Sequence, residues 1–408
     1  MRIPTVLPGR KRYGFISAAV VSVIYVTYLL GGYHGLGASM VTDIIDVEIP
    51  NPTATVKIGV PSELTDLPSV PPPPPPSGEG KENATMVMLC RNSDIDGALS
   101  SIGFVENRFN HRFGYPWVFL NEEEFTDEFK NRISAAISAP VSFGLIPKEH
   151  WYQPHWIDET LAAAGRKKMA AANIIYADSV PYRNMCRFNS GFFFRHPLLQ
   201  PYRYYWRVEP DVKILCDVTY DPFEFMKDNN KIYGFTISFL EWEKTIPTLW
   251  STVKEFIKRY PQYISESNAM DFLSDNNGKS YNLCHFWSNF EIADMDFWRG
   301  EAYQKFFDYL ESKGGFYYER WGDAPVHSIA AALFSPKEKL HFFRDIGYRH
   351  EPFQHCPIGD DREKMNCDCT VGENIGKSFE AASPMLTHLN GTDYRPQSCI
   401  RRFEKLFD

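Results

Sequence analysis

Hydrophobic and polar positions divide the chain into an apolar stretch, a proline-rich stretch and a long region of alternating short patterns. Residues 13–37 carry no charge and are richest in Val, Ile, Leu and Ala between Phe15 and Leu30. Residues 38–82 are rich in Pro, Thr, Val and Glu and contain the unbroken run Pro71 to Pro76. From about Asn83 onward, apolar runs of strand length alternate with segments of helical length. Thr85–Cys90 predicts a buried strand; Arg91 and Asn92 follow, then a helix capped by Ser93 or Asp94 and running to about Phe109. Trp117–Leu120 and Val141–Leu145 predict two further strands, separated by a helix from Thr126 to Ser138. A long Ala-rich, basic helix is expected near Trp156 to Asn173. Asp221–Asn229 reads as a short helix, Tyr233–Ser238 as a strand, and Ile246–Tyr260 and Val326–Phe334 as helices. Such alternation predicts an α/β fold with a doubly wound, mostly parallel sheet, formed by one large domain over residues 83–408. No internal repeat of fixed period is present.

The N-terminal pattern carries a topological expectation. Arg10-Lys11-Arg12 precedes an apolar core of roughly 16–19 residues, about the length a helix needs to cross a bilayer. No Ala-x-Ala-like cleavage site follows, which favours an uncleaved signal-anchor over a removed signal peptide. The positive-inside rule then makes 1–12 a cytosolic tail, 13–37 a transmembrane helix, 38–82 an extended stem and 83–408 lumenal. The 8 cysteines (Cys90, Cys186, Cys216, Cys284, Cys356, Cys367, Cys369 and Cys399) suit an oxidising compartment, and their pairing stays open. Cys356, Cys367 and Cys369 with His350 and His355 imitate a zinc knuckle but lack a Cys-x-x-Cys pair, so zinc is not expected. A net charge of −8 without a Lys/Arg-rich face argues against nucleic acid as a partner.

The stretch from Tyr204 to Asp217 holds the first candidate chemistry. Its opening residues are aromatic or β-branched apart from Arg207, and Pro210 should end the strand. Glu209 and Asp211 then lie at a strand's carboxyl end, where open α/β sheets bind ligands and where a hard cation could grip a phosphate. The competing reading is a turn with solvated carboxylates. Glu291 lies among aromatics in the stretch His285 to Asp294, as a pocket carboxylate or as an acid near the start of a helix. Asp323, two residues before Pro325, has the pattern of a helix N-cap, and such a cap at a pocket edge can hold a substrate hydroxyl. His350 with Glu209 would make a mixed N/O site suited to Mn²⁺.

Several of these stretches, in this order, resemble one family. They are Tyr205 to Val212 (YWRVEPDV), Tyr233 to Ser238 (YGFTIS), Thr245 to Trp250 (TIPTLW), Asn268 to Leu273 (NAMDFL), Cys284 to Asp294 (CHFWSNFEIAD) and Gly315 to Ala330 (GFYYERWGDAPVHSIA). The match, from about Met88 to Pro357, is to fungal Golgi α-1,2-mannosyltransferases of glycosyltransferase family 15. The resemblance implies a GT-A-like doubly wound mixed sheet, flanked by helices, in a single lumenal domain behind a type II anchor in the Golgi membrane. It implies GDP-mannose as donor, Mn²⁺ as cofactor and a mannosylated glycoprotein as acceptor. Under it, Glu209 and His350 hold the metal, and Glu291 and Asp323 are catalytic, Glu291 as nucleophile. Tyr182, Arg207, Asp211 and Arg91 form the donor-binding set. The chain has Asn184 where the family pattern around Tyr182 leads one to expect His. A glycoside hydrolase using Glu291 and Asp323, or a non-catalytic mannose-binding protein, are the competing functions.

Overall fold

The computed structural model describes residues 81–374 and 397–408. The apolar run 13–37, and the stem 38–82 up to its last two residues, lie outside them. Among the described residues no helix is long and apolar enough to cross a membrane. Lys81 and Glu82 are the end of the stem as read from sequence. Glu82 already touches the domain: its N–H donates to the Tyr115 hydroxyl and its carboxylate pairs with Lys227.

The strands among these residues are β1 (Ala84–Leu89), β2 (Trp117–Asn121), β3 (Val141–Leu145), β4 (Tyr204–Arg207), β5 (Lys213–Ile214) and β6 (Tyr233–Phe235). They continue with β7 (Ser238–Leu240), β8 (Cys284–Phe286), β9 (Glu291–Asp294), β10 (Leu340–Phe342), β11 (Tyr348–His350) and β12 (Phe353–His355). Seven form one sheet in the order β10-β6-β9-β4-β1-β2-β3. Neighbours run parallel except at β9, which is antiparallel to both β4 and β6. A three-stranded sheet β12-β11-β5 and a two-stranded sheet β7-β8 sit beside it.

Helices of ten residues or more are α1 (Ile95–Val105), α2 (Asp127–Ala136), α3 (Glu159–Ala171), α4 (Val180–Gly191), α5 (Leu249–Arg259), α6 (Glu301–Glu311) and α7 (Asp323–Phe334). Side chains alternate across the sheet with period two, and both faces are buried. Val87, Val118 and Tyr205 enter a core shared with residues of α3 to α7. Met86, Met88, Trp117, Tyr204 and Trp206 enter the other, with residues of α1 and α2. The expected doubly wound α/β arrangement is therefore present.

Local departures have identifiable causes. The first helix is α-helical to Val105 and continues as a π-helical segment over Glu106–Asn110 and a last α turn at His111–Phe113, so it runs past the expected end near Phe109. The π-helical segment carries the Glu106 carboxylate inward, where it accepts from the Trp117 indole and the Asn110 amide. The segment expected as one strand over Tyr233–Ser238 divides, because β7 leaves the main sheet to pair with β8. Helix α4 has no counterpart in the hydrophobic pattern; the Ser179 side chain caps it through the Tyr182 N–H, and Pro181 occupies its first turn. Asp323 begins α7 behind Gly322 at the N-cap, so it is not the cap the sequence suggests.

Disulfides join Cys216 to Cys367, Cys284 to Cys399 and Cys356 to Cys369. The cysteines of the apparent zinc knuckle are thus oxidised in pairs. Cys90 and Cys186 are free, and burial pushes both thiols far above their ordinary range. Thiol titration of the full-length protein should find no reactive group in the native state and two per chain in denaturant; a reactive native thiol would contradict this pairing.

Candidate active site

Strand β4 delivers Tyr205 and Arg207 to one face of the sheet, and β9 sets Glu291 directly opposite Arg207. Tyr233 approaches from β6 on the other side of β9. The strand β4 ends at Arg207, so Glu209 stands just beyond its carboxyl end. The chain then turns sharply: Asp211 has φ 64, in the left-handed region. This turn lays its carboxylate against α1, where a Cβ on Gly97 would come within 2.8 Å of Asp211 Oδ2. A glycine is needed there for the approach.

Arg207 is the centre of the cluster. Its guanidinium reaches Glu209 at 2.5 Å and Asp323 at 2.5 Å, with Glu291 at 3.9 Å. Burial opposes its charge, but Asp323, Glu209 and Glu291 outweigh that penalty and hold it protonated well above the usual arginine range. Asp323 also accepts from the Ser288 hydroxyl at 2.7 Å. Burial pushes the Asp323 carboxyl up, yet Arg207 and His327 bring it below its ordinary value.

Glu291 is 1% exposed and lies on a strand, not at the start of a helix. Asp294 caps the short helix that follows. The Tyr205 hydroxyl donates to Glu291 Oε1 at 2.8 Å and the Tyr233 hydroxyl to Oε2 at 2.9 Å. His327 Nδ1 is 3.0 Å from Oε2. Burial first, and then the charge of Glu291, raise both tyrosines well above their ordinary range, so they stay hydroxyl donors. These three partners are what the sequence reading missed. His327 follows Asp323 by four residues, a helical spacing that could have drawn attention to it.

His350, on β11, places Nε2 3.7 Å from Glu209 Oε2. Two atoms sharing one ion at bond lengths of about 2.0–2.2 Å can stand that far apart. Among the described residues the other ring nitrogen of His350 is buried without a hydrogen-bond partner, and the Trp287 ring meets the imidazole edge-on at 5.3 Å. Three carboxylates around one guanidinium leave excess negative charge beside an N/O pair. Such a donor set fits Mn²⁺.

The rest of the expected donor-binding set is spread out. Tyr182 stacks on Tyr176 at 4.5 Å, beneath the Arg320 guanidinium at 5.1 Å. Arg91 binds Glu122 at the end of β1. Asp211 turns to α1. The structure brings Glu209, His350, Arg207, Asp323 and Glu291 into one linked cluster and leaves Tyr182, Arg91 and Asp211 outside its direct contacts.

A mixed sheet carrying an acidic and histidine-bearing cluster beyond its central strand is the architecture of a glycosyltransferase, and solved structures agree. Core-mannan synthase A of Aspergillus fumigatus, in an Mn/GDP form, superposes with a TM-score of 0.72 at 42% identity, covering 81% of this chain and 87% of that one. The mannosyltransferase Ktr4p of Saccharomyces cerevisiae in complex with GDP gives a TM-score of 0.72 at 43% identity, covering 80% and 82%. The glycolipid 2-alpha-mannosyltransferase family matches residues 51–390, and the chain belongs to it. It is 53% identical over 326 residues to the glycolipid 2-alpha-mannosyltransferase of Saccharomyces cerevisiae, spanning 78% of this chain and 73% of that protein. It is 58% identical over 307 residues to glycolipid 2-alpha-mannosyltransferase 2 of Candida albicans, spanning 73% and 67%.

Removing Arg207 would leave buried carboxylates facing one another. Arg207→Ala should lower stability by about 3–5 kcal/mol in urea unfolding, and an unchanged midpoint would show that the cluster does not depend on this cation.

Proposed function

We propose that this protein transfers mannose from GDP-mannose to a mannose-terminated acceptor, forming an α-1,2 linkage with retention of configuration. The observation that carries the reading is the Glu209–His350 pair, beyond the end of β4 and joined through Arg207 to Asp323 and Glu291. Neither hydrolysis nor simple sugar binding needs a site for a metal-bound diphosphate. The family, the α-1,2-mannosyltransferases among its relatives, and the Mn and GDP of the similar structures support it.

Glu209 and His350 would hold Mn²⁺, which when bound offsets charge on the departing diphosphate. Arg207 keeps Glu209 and Asp323 in place, and the Asp323 carboxylate is positioned to hold a sugar hydroxyl. Glu291 is boxed by two hydroxyl donors and the His327 ring and is almost inaccessible. A carboxylate so engaged is a weak nucleophile. This favours a buried anion that stabilises positive charge developing at the sugar, with leaving group and acceptor on the same face, over a covalent intermediate.

We extend the reading to topology. Residues 1–12 form a cytosolic tail, 13–37 a single transmembrane helix and 38–82 a stem. The catalytic domain, residues 83–408, lies in the Golgi lumen and acts on N- or O-linked glycans of glycoproteins. The three disulfides suit that compartment.

Full-length protein incubated with GDP-mannose and methyl α-mannoside should give an α-1,2-linked disaccharide with Mn²⁺ and none with EDTA. Glu209→Gln should abolish Mn²⁺-dependent GDP binding; unchanged affinity would remove Glu209 from the metal site. Glu291→Gln should lower turnover by about 10²-fold or more while GDP affinity stays within about threefold. Mass spectrometry of wild type held with donor alone should show no hexose adduct on Glu291, and an adduct there would establish double displacement instead.

A further inference from the structure

His327 is fully buried against this site, and the reading above uses it only as a neighbour of Glu291 and Asp323. It stands one turn beyond Asp323 on α7, on the same helix face. Its Nδ1 meets Glu291 Oε2 at 3.0 Å, and its Nε2 meets the backbone carbonyl of Asn189 at 3.0 Å. Asn189 belongs to the last turn of α4, where carbonyls have no partner within the helix and the helix dipole favours a cation. Trp298 fixes the ring: its indole stacks on the imidazole at 4.3 Å and 23°. The same indole donates from Nε1 to the Tyr205 hydroxyl at 3.1 Å, and that hydroxyl in turn donates to Glu291.

The protons follow from what each partner can do. A carbonyl oxygen only accepts, so Nε2 carries a hydrogen. Each Glu291 oxygen already takes a hydroxyl hydrogen, Oε1 from Tyr205 and Oε2 from Tyr233, which is the pattern of an ionised carboxylate; such a group only accepts, and Nδ1 would then carry a hydrogen too. Arg207 is 3.9 Å from Glu291, with closer partners in Asp323 and Glu209, which leaves the imidazole as the nearer cation.

We propose that His327 is a positioning residue for transfer: an imidazolium, held between the Asn189 carbonyl and Glu291, that keeps this carboxylate ionised and fixed in orientation. The inference rests on the reading of Glu291 as the anion facing the sugar's developing charge. Its opposite is a neutral His327 against a protonated Glu291, which would leave no anion there.

Two measurements on the full-length protein test this. With ¹⁵N-labelled histidine, and His327→Asn or His327→Gln used to assign the signal, both ring nitrogens of His327 should report the protonated form at pH 7. One protonated and one bare nitrogen would overturn the proposal. In kinetics, His327→Asn should lower kcat between about 10²- and 10⁴-fold, with KM for GDP-mannose and GDP affinity within about threefold. Adding His327→Asn to Glu291→Gln should cost at most about threefold more, since the two act as a unit. Multiplicative losses, or GDP affinity falling in step with kcat, would overturn the positioning role. Wild-type transfer is run alongside; if wild type transfers no mannose, the function itself fails and the role with it, whatever the nitrogen signals show.

Discussion

The arrangement of this site depends on one guanidinium among three carboxylates. Removing charges from water is expensive, and like-charged carboxylates can share a nearly dry space only if a cation is held between them. Arg207 does this from a strand whose geometry is set by neighbours on both sides, so its position is dictated by the sheet and not by a loop. The carboxylate that is partly exposed, Glu209, is free on its outer side to meet a metal ion. The fully buried one, Glu291, is wrapped by donors. A single cation thus sorts its acids into an outward-facing and an inward-facing kind.

That sorting links the fold to the chemistry. The small sheet carrying His350 is anchored to the segment after Glu209 by the pairing of β11 with β5. The Cys216–Cys367 bridge ties the residue shortly after β5 to the segment beyond β12. Holding β5 therefore also holds the geometry between Glu209 and His350, and the disulfides contribute to the site although none lies in it.

Much of this was legible in the sequence. Strand and helix spacing exposed the α/β alternation, because strands buried on both faces read as short continuous apolar runs while amphipathic helices repeat near 3.6 residues. Glu209 stood out at a strand end and Glu291 among aromatics, whereas Asp323 read as a helix cap and His350 as a histidine after a turn, and their roles came from the family resemblance. Helix α4 was hidden because its buried face includes Arg183, Asn184, Arg187 and Asn189, polar residues that satisfy themselves through tertiary contacts. Tyr205, Tyr233 and His327 went unnoticed for a related reason. An aromatic or histidine in a core pattern looks like packing until the acid it serves is placed beside it. Asp211 shows the converse: next to Glu209 in sequence, it is turned away by a left-handed residue that spacing does not reveal.

The reversed strand β9 has a consequence for the order in which the molecule assembles. In the seven-stranded sheet, β6 and β10 connect to β4, β1, β2 and β3 only through β9. β9 pairs with β4 on one side and with β6 on the other, and so closes the sheet. Glu291 sits on that closing strand, so its cage cannot exist before the two halves of the sheet are joined. A nascent or partly folded chain would hold many of the same side chains and yet no arranged site, which ties competence to the joining of the two halves.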